Sequence, residues 1–237
     1  MASKGGRLKG RIALVTGASR GLGAAIARRF AAEGAHLVLV ARTVGGLEEV
    51  DDTVKAAGGE ATLVPLDLTQ FEAIDELGSR LYERFGRLDI LVGNAAALGA
   101  ISPVGHIEPK LWEETFAINV TANFRLIRSF DPLLRQSAAG QAIFVTSAAT
   151  RNLFPFWGLY STTKSALDAM VLTYAREVAN TTVRANLVDP GIIQTSMRVA
   201  AMPGEDPTTL RHPDDVTTAF VDLADANCTR NGEVIKA

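Results

Sequence analysis

The sequence contains a single cysteine, Cys228, among 237 residues, which excludes an intrachain disulfide framework and a cysteine-built zinc site. That scarcity fits a reducing compartment, and Cys228 itself reads as a small buried apolar residue. Histidine is nearly as scarce. His36, His106 and His212 fall in no catalytic or ligand pattern, so they read as structural or surface residues and no metal site is expected. Neither sign of charge is in excess: 24 basic against 26 acidic side chains leave a formal net charge of -2, and no basic stripe marks a nucleic-acid partner. A long apolar run is missing too. The longest uncharged stretch, Ile90 to Ile107, is interrupted by Gly93, Asn94, Gly99, Ser102, Pro103 and Gly105, which excludes a membrane span there. The opening MASKGGRLKG carries charge with no apolar stretch behind it, so no secretory leader is expected and a cytoplasmic location is. No repeat or linker divides the chain, and 47% hydrophobic against 21% charged residues predict one folded domain over 1–237.

What the sequence does have is alternation. Short β-branched runs (Ile12 to Val15, His36 to Val40, Ala61 to Leu66, Leu88 to Val92, Gln141 to Val145, Val183 to Val188, Glu233 to Ile235) are separated by stretches of helical period. Between the third and fourth runs, Phe71, Ile74, Leu77, Leu81 and Phe85 line one face of a helix that Gly86 stops, and Ala24 to Glu33 closes likewise at Gly34. Strands this apolar, joined by helices, predict an α/β fold: a doubly wound, Rossmann-type parallel sheet of seven strands with helices on both faces.

Directly after the first run stands Thr16-Gly17-Ala18-Ser19-Arg20-Gly21-Leu22-Gly23, followed by an alanine-rich helix. A dinucleotide pyrophosphate needs backbone amides at a helix N-terminus with no Cβ in the way, and Gly17, Gly21 and Gly23 suit the turn, the close approach and the helix packing. The alternative is an ordinary glycine-rich turn. The spacing TGxxxGxG differs from the commoner GxGxxG, and here the chain resembles the single-domain branch of the short-chain dehydrogenases/reductases, from Arg11 to Lys236. The resemblance implies a single NAD(H)- or NADP(H)-binding and catalytic domain, with Ser19, Arg20 and Leu22 joining the glycines around the cofactor.

No acid closes the second strand, where one would bind a ribose 2′-hydroxyl. Arg42 stands there instead, and with Arg20 it favours a 2′-phosphate, so NADP(H) is expected over NAD(H); two solvated surface arginines are the alternative. Asp67, with Leu68 beside it, resembles the family's aspartate at the adenine amino group, and Asp67 also reads as an N-cap for a helix beginning near Gln70. Asn94-Ala95 matches part of the family's Asn-Asn-Ala-Gly turn. Gly93 and Ala96 depart from it, which predicts a slightly different backbone.

Tyr160 and Lys164 form YxxxK, one helical turn apart and so on the same face. Ser147, 13 residues before Tyr160, completes the family's spacing. Carbonyl reduction needs an acid touching the substrate oxygen, and an ammonium near a phenol favours the phenolate, so Lys164 is expected to bring Tyr160 toward neutral range. The resemblance implies that Lys164 also holds the nicotinamide ribose, that Ser147 donates to the substrate oxygen, and that Asn119 holds a water behind the lysine. The alternative for Asn119 is a tolerated polar residue within a helix. Pro190 and Gly191, with Ile193 and Thr195, match the family's turn at the nicotinamide carboxamide; a plain turn is the alternative.

Between Ser147 and Tyr160, Leu153, Phe154, Phe156 and Trp157 offer an apolar substrate wall, or else core or subunit-contact aromatics, and 196–213 lacks a clear period and reads as a mobile lid. These features predict an aliphatic or aromatic ketone or a 3-oxoacyl thioester, interconverted with its secondary alcohol. The resemblance implies a homodimer or homotetramer through helices at Pro109 to Gln136 and Tyr160 to Ala179, although the glycine-rich tail usual after the last strand is not seen after GEVIKA. The competing reading is a non-catalytic dinucleotide-binding sensor or scaffold on the same fold.

Overall fold

The computed structural model describes residues 6–237; positions 1–5, part of the opening in which no leader is read, lie outside the described residues. Seven strands form one all-parallel sheet in the order β3-β2-β1-β4-β5-β6-β7. They are β1 Ile12–Thr16, β2 His36–Ala41, β3 Glu60–Pro65, β4 Ile90–Gly93, β5 Gly140–Val145, β6 Val183–Asp189 and β7 Val234–Lys236. Each expected run supplies one strand, its ends moved by a residue or two. Both faces of the sheet are covered, which is why its strands are apolar at successive positions. On one face Ala13, Val15, Leu37, Leu39, Ile90 and Val92 share a core with α1 (Gly21–Ala32), α2 (Val44–Ala56) and α9 (Thr217–Ala224). On the other, Leu14, Val38, Val40, Leu91 and Phe144 meet α3 (Phe71–Phe85), α5 (Ala122–Arg135) and α7 (Gly158–Glu177).

The buried stripe of α3 is Ile74, Leu77 and Leu81. At Gly78 this helix comes so near α5 that a Cβ would stand 3.1 Å from the Ser129 carbonyl oxygen. The long helix expected over 109–136 runs through without a break, but not uniformly: α4 (Pro109–Phe116) passes through a π-helical turn, Ala117–Thr121, into α5. A wider turn of this kind is frequent at functional sites, and here it carries Asn119 into the interior. Cys228 is only half-buried against the core.

The N-terminal ends of the central strands are tied by Asp89, whose carboxylate accepts from the Ile12 amide at 2.8 Å and the Ser137 hydroxyl at 2.6 Å. The C-terminal ends are left free for a site. From β1 the chain winds outward to β3 and then crosses back to β4 on the other side of β1, so the loops after β1 and β4 diverge and open a crevice.

Candidate active site

At that crevice the ends of β1 and β4 are locked together. The Thr16 hydroxyl donates to the Val92 carbonyl at 3.2 Å and accepts from the amides of Asn94 and Ala95 at 3.0 and 3.1 Å. Asn94 Nδ2 donates back to the Thr16 carbonyl at 2.9 Å. Gly17 then turns the chain with φ 64°, and a Cβ there would lie 2.9 Å from Asn94 Nδ2. At Gly23 a Cβ would run into the Gly17 carbonyl oxygen, so α1 settles on the loop only because both positions are bare.

The first turn of α1 has no side-chain cap and no acid, with Arg20 at its N-cap. Its free amides and positive dipole end suit an anion. A cleft of about 530 Å³ opens beside it, lined by Arg20, Gly21, Arg28, Gln194, Thr195 and Ser196 among others. A cradle that side chains would fill, with unclaimed amides at its floor, fits a dinucleotide pyrophosphate. Ser19, in the loop, is half-buried, and the side chains of Leu22 and Leu68 are buried.

The departure at Gly93 has a packing cause. A Cβ there would lie 2.6 Å from Phe144 Cε1 and 2.7 Å from Asn123 Oδ1, so this chain fills with Phe144 the space an asparagine side chain would need. At Ala96 the backbone is not left-handed: the non-glycine residues with left-handed φ among those described are Leu153 and Phe156.

Arg42 is 70% exposed at the end of β2, with Nη1 4.0 Å from Asp67. Asp67 is not the N-cap of α3, which begins after Gln70. Its Oδ1 instead accepts from the Thr69 amide and hydroxyl at 2.9 and 2.8 Å. These bonds, the amide's first, outweigh partial burial and with Arg42 hold the carboxyl below its ordinary range.

Ser147 follows β5, and the amide of Ala149 donates to its hydroxyl at 3.2 Å, orienting it. Tyr160 and Lys164 rise from the first turns of α7, both buried. The Trp157 ring meets that of Tyr160 edge-on, with centroids 6.0 Å apart. Lys164 Nζ donates to the Val145 carbonyl at 2.8 Å and stands 5.7 Å from the centre of the Tyr160 ring. Burial pulls the Lys164 ammonium down to about 8, with Asp168 opposing.

The expected acidification of Tyr160 is corrected. Burial, reinforced by the negative charge of Asp189, pushes the phenol up to about 12, against the pull of a hydrogen bond from Ser147. The lysine does not offset this, because its Nζ is turned to a strand carbonyl and its own charge is weakened by the same burial.

Asn119 lies behind this group. Its Oδ1 accepts from the Ala97 amide at 2.8 Å, and its Nδ2 donates to the Ala97 carbonyl at 2.8 Å and to the Thr163 hydroxyl at 2.9 Å. It is a buried clamp between the π turn, the loop after β4 and α7, not merely a tolerated polar residue.

After β6, Gly191 makes its turn with φ 69° and its amide donates to Asp189 Oδ1 at 3.1 Å. Ile193 is buried and pairs with Arg211. Thr195 caps α8 (Ser196–Ala201), its hydroxyl accepting from the Arg198 amide at 3.2 Å. The segment read as lacking a period therefore holds a short helix, pinned by Arg198 to Glu205 at 2.5 and 2.6 Å.

The apolar run after Ser147 is not core: Leu153, Phe154 and Phe156 are 67, 52 and 55% exposed. Phe156 adopts φ 72° in a turn closed by the Trp157 amide on the Phe154 carbonyl at 3.2 Å. That is a position where glycine is ordinarily used.

Three participants escaped the sequence reading. Asp168 stands one turn beyond Lys164 on α7, and among the described residues its buried Oδ1 has no hydrogen-bond partner; burial raises this carboxyl, with Thr146, Thr150, Lys164 and Arg151 pulling it down. Arg151 of α6 (Ala149–Asn152) pairs with Asp189. The spacings, four residues after Lys164 and four after Ser147, were visible, but only the fold shows what they meet.

A family model for the short chain dehydrogenases matches residues 11–206. The chain is 34% identical to the uncharacterized oxidoreductase YciK of Escherichia coli K12 over 217 residues, covering 90% of this chain and 86% of that one. Its structure superposes on a short chain dehydrogenase from Salmonella enterica serovar Typhi with a TM-score of 0.94 at 33% identity, over 100 and 99% of the two chains. A solved structure from Escherichia coli CFT073, complexed with NADPH, gives a TM-score of 0.92 at 32% identity over 99% of each chain. The glycine cradle, the Ser147, Tyr160 and Lys164 cluster and these likenesses place the chain among the oxidoreductases of Rossmann-type fold. It belongs to the short-chain dehydrogenase/reductase family.

Proposed function

We propose that residues 1–237 form one NADP(H)-binding and catalytic domain that interconverts a ketone or 3-oxoacyl carbonyl with its secondary alcohol. The observation that carries this reading is the convergence of Ser147, Tyr160 and Lys164 on the strand ends next to the glycine cradle. The cofactor, when bound, supplies or accepts the hydride at the reacting carbon. Gly17, Ser19, Arg20, Gly21, Leu22 and Gly23 would hold its pyrophosphate; Arg42 and Arg20 its 2′-phosphate; Asp67 and Leu68 its adenine; and Asn94, Ala95, Pro190, Gly191, Ile193 and Thr195 its nicotinamide half. The NADPH-complexed relative supports that choice of cofactor.

In the reductive direction Tyr160 gives its proton to the substrate oxygen while Ser147 donates a hydrogen bond to the same atom as negative charge develops. A phenol held up at about 12 is fully protonated near neutral pH, so it is ready as the acid. In the oxidative direction the same phenol must first lose its proton. Lys164, whose ammonium stands 5.7 Å from the centre of the Tyr160 ring, would hold the nicotinamide ribose, and Asn119 fixes the loop and helix that flank both.

The substrate class rests on the exposed side chains of Leu153, Phe154 and Phe156 in the stretch that leads from Ser147 to Tyr160, which suit an apolar body. A carbonyl panel with NADPH tests it: apolar ketones and 3-oxoacyl thioesters are reduced and small polar sugars are not. Reduction of the sugars alone would overturn the assignment.

A further inference from the structure

The turn carrying Leu153, Phe154 and Phe156 has a neighbour that the substrate reading above does not use. The loop after β4 presents Ile101 and Val104 to solvent, 39 and 68% exposed. The two segments are tied together. The Ser102 amide donates to the Phe156 carbonyl at 2.9 Å, and a Cβ at Gly158 would stand 2.6 Å from a Val104 methyl carbon. A Cβ at Gly99 would likewise lie 2.6 Å from Leu159 Cδ2, so the loop is seated on the first turn of α7, where Tyr160 stands. Trp157, next in the chain after Phe156, sets its ring edge-on to that of Tyr160 with centroids 6.0 Å apart, which continues the apolar surface to the phenol.

Two features mark this surface as built for an occupant. Leu153 and Phe156 have left-handed backbones, φ 47° and 72°, a conformation that is costly for bulky side chains and is retained where function requires it. Here the strain accompanies exposure, not burial. Charge is also missing. No Asp, Glu, Lys or Arg occurs over 94–107 or 152–163, and the guanidinium next to the second segment, that of Arg151, is engaged by Asp189. The segments offer no charged side chain to a phosphate or carboxylate, whereas their exposed apolar side chains gain by being covered.

We propose that Ile101 and Val104 complete, with Leu153, Phe154 and Phe156, an apolar strip that takes an uncharged linear chain extending from the substrate carbonyl, so that the enzyme selects substrates by chain length. The inference rests on the reading of Tyr160 as the group that meets that carbonyl. A small ketone reaches Tyr160 and Ser147 and leaves the strip bare; a long one covers it. Each methylene laid on the open strip loses about half its water, which corresponds to about a twofold gain in kcat/KM.

The test compares methyl octyl ketone with methyl ethyl ketone, with NADPH as reductant. Wild type is expected to favour the longer ketone by roughly fiftyfold in kcat/KM. Val104→Asp, which sets a charge on an exposed position of the strip, is expected to cut that ratio about tenfold, Val104→Ser about threefold, and Val104→Leu to preserve it. An unfolded fraction lowers both rates alike and cancels in the ratio. A wild-type ratio near one, or a ratio that Val104→Asp leaves unmoved, overturns the strip, and with the ethyl ketone still reduced the carbonyl reading stands. An unmoved ratio in a Val104→Asp protein that sediments as a smaller species than wild type assigns the surface to a second copy of the chain, and the proposal falls. If neither ketone is reduced, the carbonyl reading falls and the strip is judged by binding. Decyl alcohol, and not butyl alcohol, must then shift the emission of Trp157 in protein carrying Trp112→Phe, and Val104→Asp must abolish the difference; an equal response to the two alcohols overturns the strip as well.

Discussion

At Tyr160 and Lys164, burial acts on two groups of opposite charge type, raising the phenol to about 12 and lowering the ammonium to about 8. Reduction, which needs the protonated phenol, is expected to stay level from neutral pH upward until the cofactor or fold fails. Oxidation of the alcohol, which needs the phenolate, should keep climbing with pH; initial rates in both directions across the pH range check this. Stability carries the same signature with the sign worked out. Lys164 binds its proton less tightly folded, at about 8, than unfolded, near 10.5, so its burial penalty is fully present below pH 8 and is relieved between these values. That relief is worth roughly 3 kcal/mol. Urea denaturation should show wild type gaining on Lys164→Met as pH rises from 7 to about 10. Asn119→Ala, which strips partners from the Ala97 amide and carbonyl and from Thr163, should cost roughly 2 to 4 kcal/mol by the same method. The spacing of Ser147, Tyr160 and Lys164 was legible because helix period and strand ends are local facts. The direction of the phenol's shift was not, because Asp189 and the Val145 carbonyl arrive from separate strands.

Among the elements, the strands were read well because a sheet covered on both faces leaves continuous β-branched runs. The π-helical turn at Ala117–Thr121 was not, since one inserted residue barely disturbs the apolar spacing on either side. Nor was the packing at the end of β4. There Phe144 and Asn123 occupy the volume above Gly93, so Gly93→Asn should destabilise by about 1 to 3 kcal/mol through overpacking, and combining it with Phe144→Val should recover part of that loss. Phe156, held at φ 72° in its turn, is strained in the opposite sense. Phe156→Gly should stabilise the fold by roughly 1 kcal/mol while raising KM for apolar ketones, a split that thermal denaturation and steady-state kinetics together resolve. An unchanged KM would show that the exposed ring serves no substrate.

Over the whole molecule, the order of the strands places the glycine cradle, Arg42 and the Ser147 cluster along one edge of the sheet, while Asp89 ties the opposite edge. That arrangement makes cofactor choice separable from chemistry. Arg42→Asp should cut the preference for NADPH over NADH by roughly tenfold to a hundredfold with little change in kcat, read from kcat/KM for the two cofactors. No helix among the described residues is long and apolar enough to cross a membrane. The account as a whole stands on Tyr160 as the group that exchanges a proton with substrate. The direct measurement is single-turnover consumption of NADPH absorbance against an apolar ketone, in wild type and in Tyr160→Phe, with NADPH affinity followed in parallel by fluorescence. The account predicts a loss of about a hundredfold or more in the variant with NADPH still bound. Equal rates in the two proteins, or NADPH binding without consumption by wild type on any carbonyl, would contradict it.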